Sequence, residues 1–307
     1  MEYNTCNAGT DHCSLRHLSM VWTDELDMQA SRRGPDFLCI GAQKSGTTWL
    51  YDNLVGHPSV WMPPVKEIRF FDLVCPNEAL LGVETPDFPS GLKRYKPTLN
   101  RPSVAALKWL YRFYNHHRSI RWYYQLFDQC SADRLTGDIT PSYSTLDERG
   151  VRFARRVLRP DCKVLVILRN PIERNWSALK MLYRWKGIDI ESVTLDYLRI
   201  NLESPSFQLR TDYSQMLHLW TSFFGDHFKY YFYDDLVENP EQFFLDVQAF
   251  VGIKPWKNSK GVFRKSNADE RSLSIPPLIH NYLKEMYGAE IERLEEFKPG
   301  IARRWLG

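Results

Sequence analysis

Three observations predict an α/β fold in which helices flank a central parallel β-sheet. Short apolar runs at 37–40, 163–168 and 229–233 have the length of buried strands, too short for helices. The middle run, Lys-Val-Leu-Val-Ile-Leu, is apolar and β-branched after its first residue, as expected of a parallel strand covered on both faces. Helical stretches separate the runs, and that alternation builds parallel sheets through right-handed crossovers. Ligands of such sheets bind beyond the carboxyl ends of the strands, so the loops after Ile40, Leu168 and Tyr233 should share one edge.

Residues 1–35 are polar and read as an irregular arm. Its Cys6, His12, Cys13 and His17 match no common zinc spacing. Phe37–Ile40 is the first strand, ended by Gly41. A small-residue loop follows over 43–48, then a helix over 49–54 that His57-Pro58 breaks. Val60–Met62 is a second short strand, Pro63-Pro64 turns the chain, and Lys66-Glu67-Ile68-Arg69-Phe70-Phe71-Asp72 comes next. Residues 73–92 read as loop. Residues 93–125 hold eight Lys and Arg, no Asp or Glu, and interleaved Trp, Tyr and Phe. That composition fits a surface for an acidic or extended partner, or amphipathic helices with aromatics turned inward. Gly137–Tyr143 reads as a strand end running into a turn, and 147–158 as a helix. After the strand at 163–168 comes Arg169, then a clean helix start: Asn170 as N-cap, Pro171 in the first helical position, Glu173 in the first turn. This helix runs through Ser177 to about Trp185. Helices are expected at 190–203, 213–223 and 240–251, a polar loop at 257–275, and a last helix at 276–296.

Composition narrows the class. At 307 residues, 43% hydrophobic and 25% charged, the chain has the make-up of a globular protein with a large core. A formal net charge of +3 makes no case for nucleic acid. There is no run of 18 apolar residues, so no membrane span is expected. The polar start lacks the basic and apolar regions of a signal peptide, and a cytoplasmic location is the expectation. The six cysteines are scattered, and Cys39, in the first strand, is expected to be buried and reduced.

Strand, glycine loop and helix N-terminus over 36–52 is a phosphate-binding geometry, since converging N–H groups and the helix dipole favour an anion. The spacing approaches the P-loop pattern G-x-x-x-x-G-K-[ST] through Gly41 and Gly46. The position after Gly46 is Thr47, however, and the lysine stands earlier, at Lys44. A phosphate loop without the usual lysine and Mg²⁺ arrangement follows. Arg169 at a strand end, with the Ser177 hydroxyl on the next helix, makes a second anion site. Two such sites point to a ligand with phosphates at two ends of a nucleoside.

These motifs resemble those of sulfotransferases that use 3′-phosphoadenosine 5′-phosphosulfate (PAPS). Gln43-Lys44-Ser45-Gly46-Thr47-Thr48-Trp49 resembles the family's 5′-phosphosulfate loop. Leu168-Arg169-Asn170-Pro171, with Arg174 and Ser177, resembles its 3′-phosphate motif. Lys66–Phe71 resembles the segment that supplies an acidic base in the glycan-type and bacterial branch, and Gly137–Tyr143 a segment lining its acceptor cleft. The resemblance implies a P-loop-like, three-layer domain over 36–307, with 93–125 as a basic aromatic helical insertion. It implies PAPS as co-substrate, PAP as product, no metal requirement, and an acceptor that is a sugar or glycan, phenol, alcohol or carrier-bound molecule. Gln43, Lys44, Ser45, Gly46, Thr47, Thr48, Trp49, Arg169, Ser177 and Lys265 would bind the donor. Lys44 would stabilise the transferring group and Glu67 would act as general base. His57 is the competing base. The alternative functions are a P-loop nucleoside or nucleotide kinase, which predicts a lysine directly after Gly46, and a nucleic-acid-binding module built on 93–125.

Overall fold

The computed structural model describes residues 34–81, 104–115, 117–256 and 274–307. Five parallel strands form one sheet: β1 (Phe37–Cys39), β2 (Val60–Trp61), β3 (Leu135–Ile139), β4 (Lys163–Leu168) and β5 (Phe228–Phe232), in the order β2-β3-β1-β4-β5. Alternate residues of each strand face opposite sides. Leu38, Val164, Val166 and Leu168 enter one apolar cluster, while Phe37, Cys39, Leu165 and Ile167 enter the other. Both faces of the central strands are therefore covered, which is why β4 reads as an unbroken apolar run. Gly137 lets β3 lie against β1, because a Cβ there would fall 2.2 Å from the Phe37 ring.

The helices, in chain order, are α1 (Thr47–Val55), α2 (Phe71–Val74), α3 (Val104–Asn115), α4 (Ile120–Gln125), α5 (Glu148–Val157), α6 (Pro171–Trp185), α7 (Leu195–Leu202), α8 (Pro205–Leu209), α9 (Tyr213–Phe224), α10 (Tyr233–Glu238), α11 (Pro240–Val251), α12 (Pro277–Arg293) and α13 (Ile301–Leu306). Helix α6 starts where its caps predict: the Asn170 side chain accepts from the Ile172 N–H at 2.9 Å, with Pro171 in the first turn. In α3 and α4, Trp109, Trp122, Tyr123 and Tyr124 are buried, whereas Tyr111 stays exposed.

Three expectations need correction. The helix at the C-terminal end is α13, beyond 276–296, and Gly300 starts it in a left-handed conformation. Strand β5 stops at Phe232, and Asp234 and Asp235 lie in the first turn of α10, where the helix dipole favours acids. The stretch 190–203 is a 3₁₀ turn at Ile190–Ser192 followed by α7. The arm at 1–33 with its Cys and His residues, the basic stretch 93–103, and Arg264 and Lys265 lie outside the described residues. No helix among the described residues is long and apolar enough to cross a membrane.

Candidate active site

The loops after β1, β4 and β5 meet at the carboxyl edge of the sheet. Gly46 caps α1 with φ 85° and, as glycine, brings no side-chain cap to the first N–H groups of that helix. A Cβ at Gly46 would lie 2.6 Å from Leu236 of α10, so glycine is required by close approach as well as by φ. Arg169, leaving β4, donates to the Lys44 carbonyl at 3.1 Å and lies 4.7 Å from the centre of the Tyr233 ring. It also pairs with Glu173 at 2.9 Å. The Lys44 ammonium rests 3.9 Å from the Met181 sulfur of α6. Burial, then the charges of Arg169, Arg184, Lys66 and Lys180, pull it from its ordinary 10.5 down to about 8. A lysine held among that many cations, beside an uncapped helix start, makes an anion cradle.

The acidic segment is joined to this loop by Lys66. Its ammonium donates to Thr47 Oγ1 and Thr48 Oγ1, both at 3.1 Å, and to Glu67 Oε1 at 3.3 Å, which uses all three of its N–H bonds. Each threonine accepts from Lys66 and keeps its own O–H to donate to an anion. Glu67 and Arg69 both have positive φ, 68° and 58°. Such backbone costs on the order of 1–3 kcal/mol per residue and persists only where the surroundings impose it. Here β3 and the 3₁₀ turn after it (Pro141–Thr145) impose it: the Glu67 N–H donates to Ile139 O at 3.1 Å, and the Phe70 N–H to the Tyr143 hydroxyl at 2.9 Å. Behind these lies Asp138, fully buried, which accepts from Thr140 (2.7 Å), Tyr143 (2.8 Å) and Tyr123 (3.0 Å). Burial raises the Asp138 carboxyl from 3.8 to about 6 against those three hydrogen bonds. Arg69 turns to Asp72 at 2.8 Å, which also accepts from Ser142.

A family model described as "Sulfotransferase family" matches residues 35–258, a span holding the loop, the Glu67 segment and the β4–α6 junction. The chain belongs to the sulfotransferase family. Over 260 residues, 80% of its length, the chain is 24% identical to human "Bifunctional heparan sulfate N-deacetylase/N-sulfotransferase 2". It spans a quarter of that relative's length. Over 169 residues it is 27% identical to human "Heparan sulfate glucosamine 3-O-sulfotransferase 6", half of this chain and 46% of that one. Its fold matches a sulfotransferase from Alicyclobacillus acidocaldarius with a TM-score of 0.59 and 22% identity, over 86% of this chain and 96% of the other.

The structure gathers Lys44, Thr47, Thr48, Glu67 and Arg169 at one edge. Ser177 is half-buried on α6, and Gln43 lines a cleft beside the loop. Ser45 is buried, its N–H donating to Ala42 O at 3.3 Å. Trp49 points elsewhere: it packs edge-on against Phe243 and Phe244, each 6.0 Å away, and anchors α1 in the core. His57 lies at the far end of α1, buried. Its Nδ1 accepts from the Ser59 N–H at 3.1 Å, so the ring proton sits on Nε2, facing Gln248 Oε1 at 3.3 Å and Lys254 O at 3.2 Å. It is a core histidine, its ring nitrogens committed to Ser59, Gln248 and Lys254. Lys66 is the site residue that sequence reasoning left as a mere neighbour of Glu67.

Proposed function

We propose that this sulfotransferase moves a sulfuryl group from PAPS to a hydroxyl or amine of an acceptor. The observation that carries the reading is the Lys44–Thr47–Thr48–Lys66–Glu67 constellation beside Arg169. The donor chemistry fits that cradle: an uncapped helix start and Lys44 suit the 5′-phosphosulfate, and Arg169 with Ser177 suits the 3′-phosphate. When bound, the donor supplies an activated sulfuryl group and a phosphate leaving group. Lys44 and the first N–H groups of α1 stabilise charge developing on the bridging oxygen. Thr47 and Thr48 direct hydroxyl protons to the same anion, held in place from behind by Lys66. Glu67 accepts the proton of the attacking hydroxyl or amine, with its backbone fixed against β3. The relatives named for N- and 3-O-sulfotransfer on heparan sulfate support both acceptor chemistries. The test is Lys44→Ala assayed with donor labelled in its sulfur. Loss of transfer by about 10²–10³-fold, the usual effect of removing one transition-state donor, supports the site. Turnover near wild type would remove Lys44 from it.

A further inference from the structure

Beside the phosphosulfate loop lies a cleft lined by Gln43, Arg174, Met181, Trp185, Phe207 and Arg210. Two of these are buried arginines without a carboxylate partner among the described residues. Arg174, 0% exposed, donates through Nη2 to Thr211 Oγ1 at 2.9 Å and to Asn175 Oδ1, while its Nε and Nη1 have no hydrogen-bond partner among the described residues. Arg210, 8% exposed, donates through Nη1 to the carbonyl and hydroxyl of Ser206 at 3.0 and 2.8 Å and forms no ion pair among the described residues. The carboxylates in its field are committed elsewhere: Asp72 to Arg69 and Ser142, and Glu67 to Lys66. Burying an unpaired guanidinium is costly, and a second one lining the same cleft adds to that cost. Burial, then Arg174 and Arg69, lowers Arg210 from 12.5 to about 10. An arrangement this unfavourable in the empty cleft is relieved by an anion that takes up the free N–H donors.

We propose that Arg174 and Arg210 form a subsite for an oxyanion, a carboxylate or a sulfate, carried by the acceptor molecule. The anion site stands on the two guanidiniums alone; its assignment to the acceptor rests on the sulfotransfer reading. Arg174 stands in the segment that resembles the 3′-phosphate motif, yet its guanidinium lines the cleft with Arg210, and the surroundings of Arg210 favour the acceptor over the donor. Arg210 lies within the electrostatic field of Glu67, the residue assigned to the acceptor's proton. Met181 lines the cleft and also touches the Lys44 ammonium at 3.9 Å, so the subsite adjoins the place of transfer. A guanidinium pair presents forked donors to a planar or tetrahedral oxyanion, which selects for acceptors bearing such a group near the nucleophile.

The experiment titrates the full-length protein, saturated with PAP, with sodium sulfate at constant ionic strength in a calorimeter. Wild type is expected to bind sulfate at one site, and Arg210→Met to weaken that binding on the order of 10-fold or more. Arg210→Lys, which keeps the charge, should bind between the two. PAP affinity should be the same in all three, which also certifies folding. If Arg210→Met does not fold, the wild-type titration and Arg210→Lys decide. No sulfate binding by wild type overturns the proposal. Equal sulfate binding by wild type and Arg210→Met also overturns it, as an adventitious ion only. Loss of PAP affinity in folded Arg210→Met reassigns the subsite to the donor and overturns the acceptor assignment. A second arm compares transfer to matched oligosaccharides with and without a carboxylate. The acidic one should be preferred by wild type, with the preference falling on the order of 10-fold in Arg210→Met; an unchanged preference contradicts the proposal. Failure of wild type to transfer to either acceptor, with sulfate binding intact, would count against sulfotransfer and leave the anion site standing.

Discussion

Lys44 should give PAP binding a pH dependence that belongs to this one side chain. Its ammonium is lowered from 10.5 to about 8 in the ligand-free protein, by burial and then by neighbouring cations. That shift corresponds to about 3 kcal/mol held against the charged form. The folded chain thus binds fewer protons than the unfolded chain between pH 8 and 10.5, and the ligand-free fold gains stability as pH rises through that window. Anionic phosphates reverse the balance by stabilising the ammonium. At pH 7 about nine-tenths of the ligand-free protein already carries the charge, and at pH 9 about one-tenth does. PAP binding should therefore weaken by up to about tenfold per pH unit above 8, with uptake of nearly one proton at pH 9. Calorimetry in two buffers of different ionisation enthalpy reads both quantities without any acceptor. Lys44→Arg keeps its charge across this range, so it should abolish the pH-dependent limb whatever its absolute affinity. A flat wild-type profile from pH 7 to about 9.5, or the same limb in Lys44→Arg, would refute the reasoning.

Other substitutions separate the roles of the remaining groups. Glu67→Gln should lower kcat by ~10²–10⁴ with PAP affinity retained; collapse of PAP binding would make Glu67 structural. Glu173→Gln should tighten PAP binding several-fold, because the exposed Arg169–Glu173 pair contributes under about 1 kcal/mol and competes with a phosphate for the guanidinium. Unchanged or weaker binding would place the 3′-phosphate elsewhere. Asp138→Asn should lower kcat without affecting PAP affinity, since the amide cannot accept from Thr140, Tyr143 and Tyr123 together and so loosens the Glu67–Phe70 backbone. The Asp138 carboxyl should contribute a loss of stability as pH rises from about 4 to about 6, because the folded state holds its proton longer than the unfolded chain; lowered carboxylates such as Asp161 contribute the opposite sign, so the contribution is read as the difference between wild type and variant. Asp138→Asn should lack that slope in a thermal melt series.

Much of the sheet edge could be read from local sequence, because local rules govern it. Strand β4 is a continuous apolar run with matching bounds, and α6 begins on an Asn-Pro cap that acts within two residues. The loop from Gly41 to Thr48 follows from glycine spacing and the displaced lysine. What escaped is long-range. Lys66 reaches Thr47 and Thr48 across 19 and 18 residues, and no periodicity encodes that contact. The left-handed backbone at Glu67 and Arg69 contradicts residue preference; it is imposed by Asp138 of β3 and by Tyr143 in the 3₁₀ turn that follows, some 70 residues away. Arg210 gave no signal at all, since a buried arginine without a carboxylate looks like any surface arginine until its neighbours are known. His57 reads as a base in isolation and is a core residue once Gln248 and Lys254 close over it.

Donor carrying separate labels on the sulfuryl sulfur and the adenosine, incubated with the purified protein and a panel of hydroxyl and amine acceptors, would test sulfuryl transfer at this site. The geometry predicts that an acceptor gains the sulfur label alone, that PAP is released in equal amount, and that Lys44→Ala and Glu67→Gln both suppress the transfer. Sulfur label appearing only as free sulfate across every acceptor class, or transfer undiminished in both variants, would contradict it.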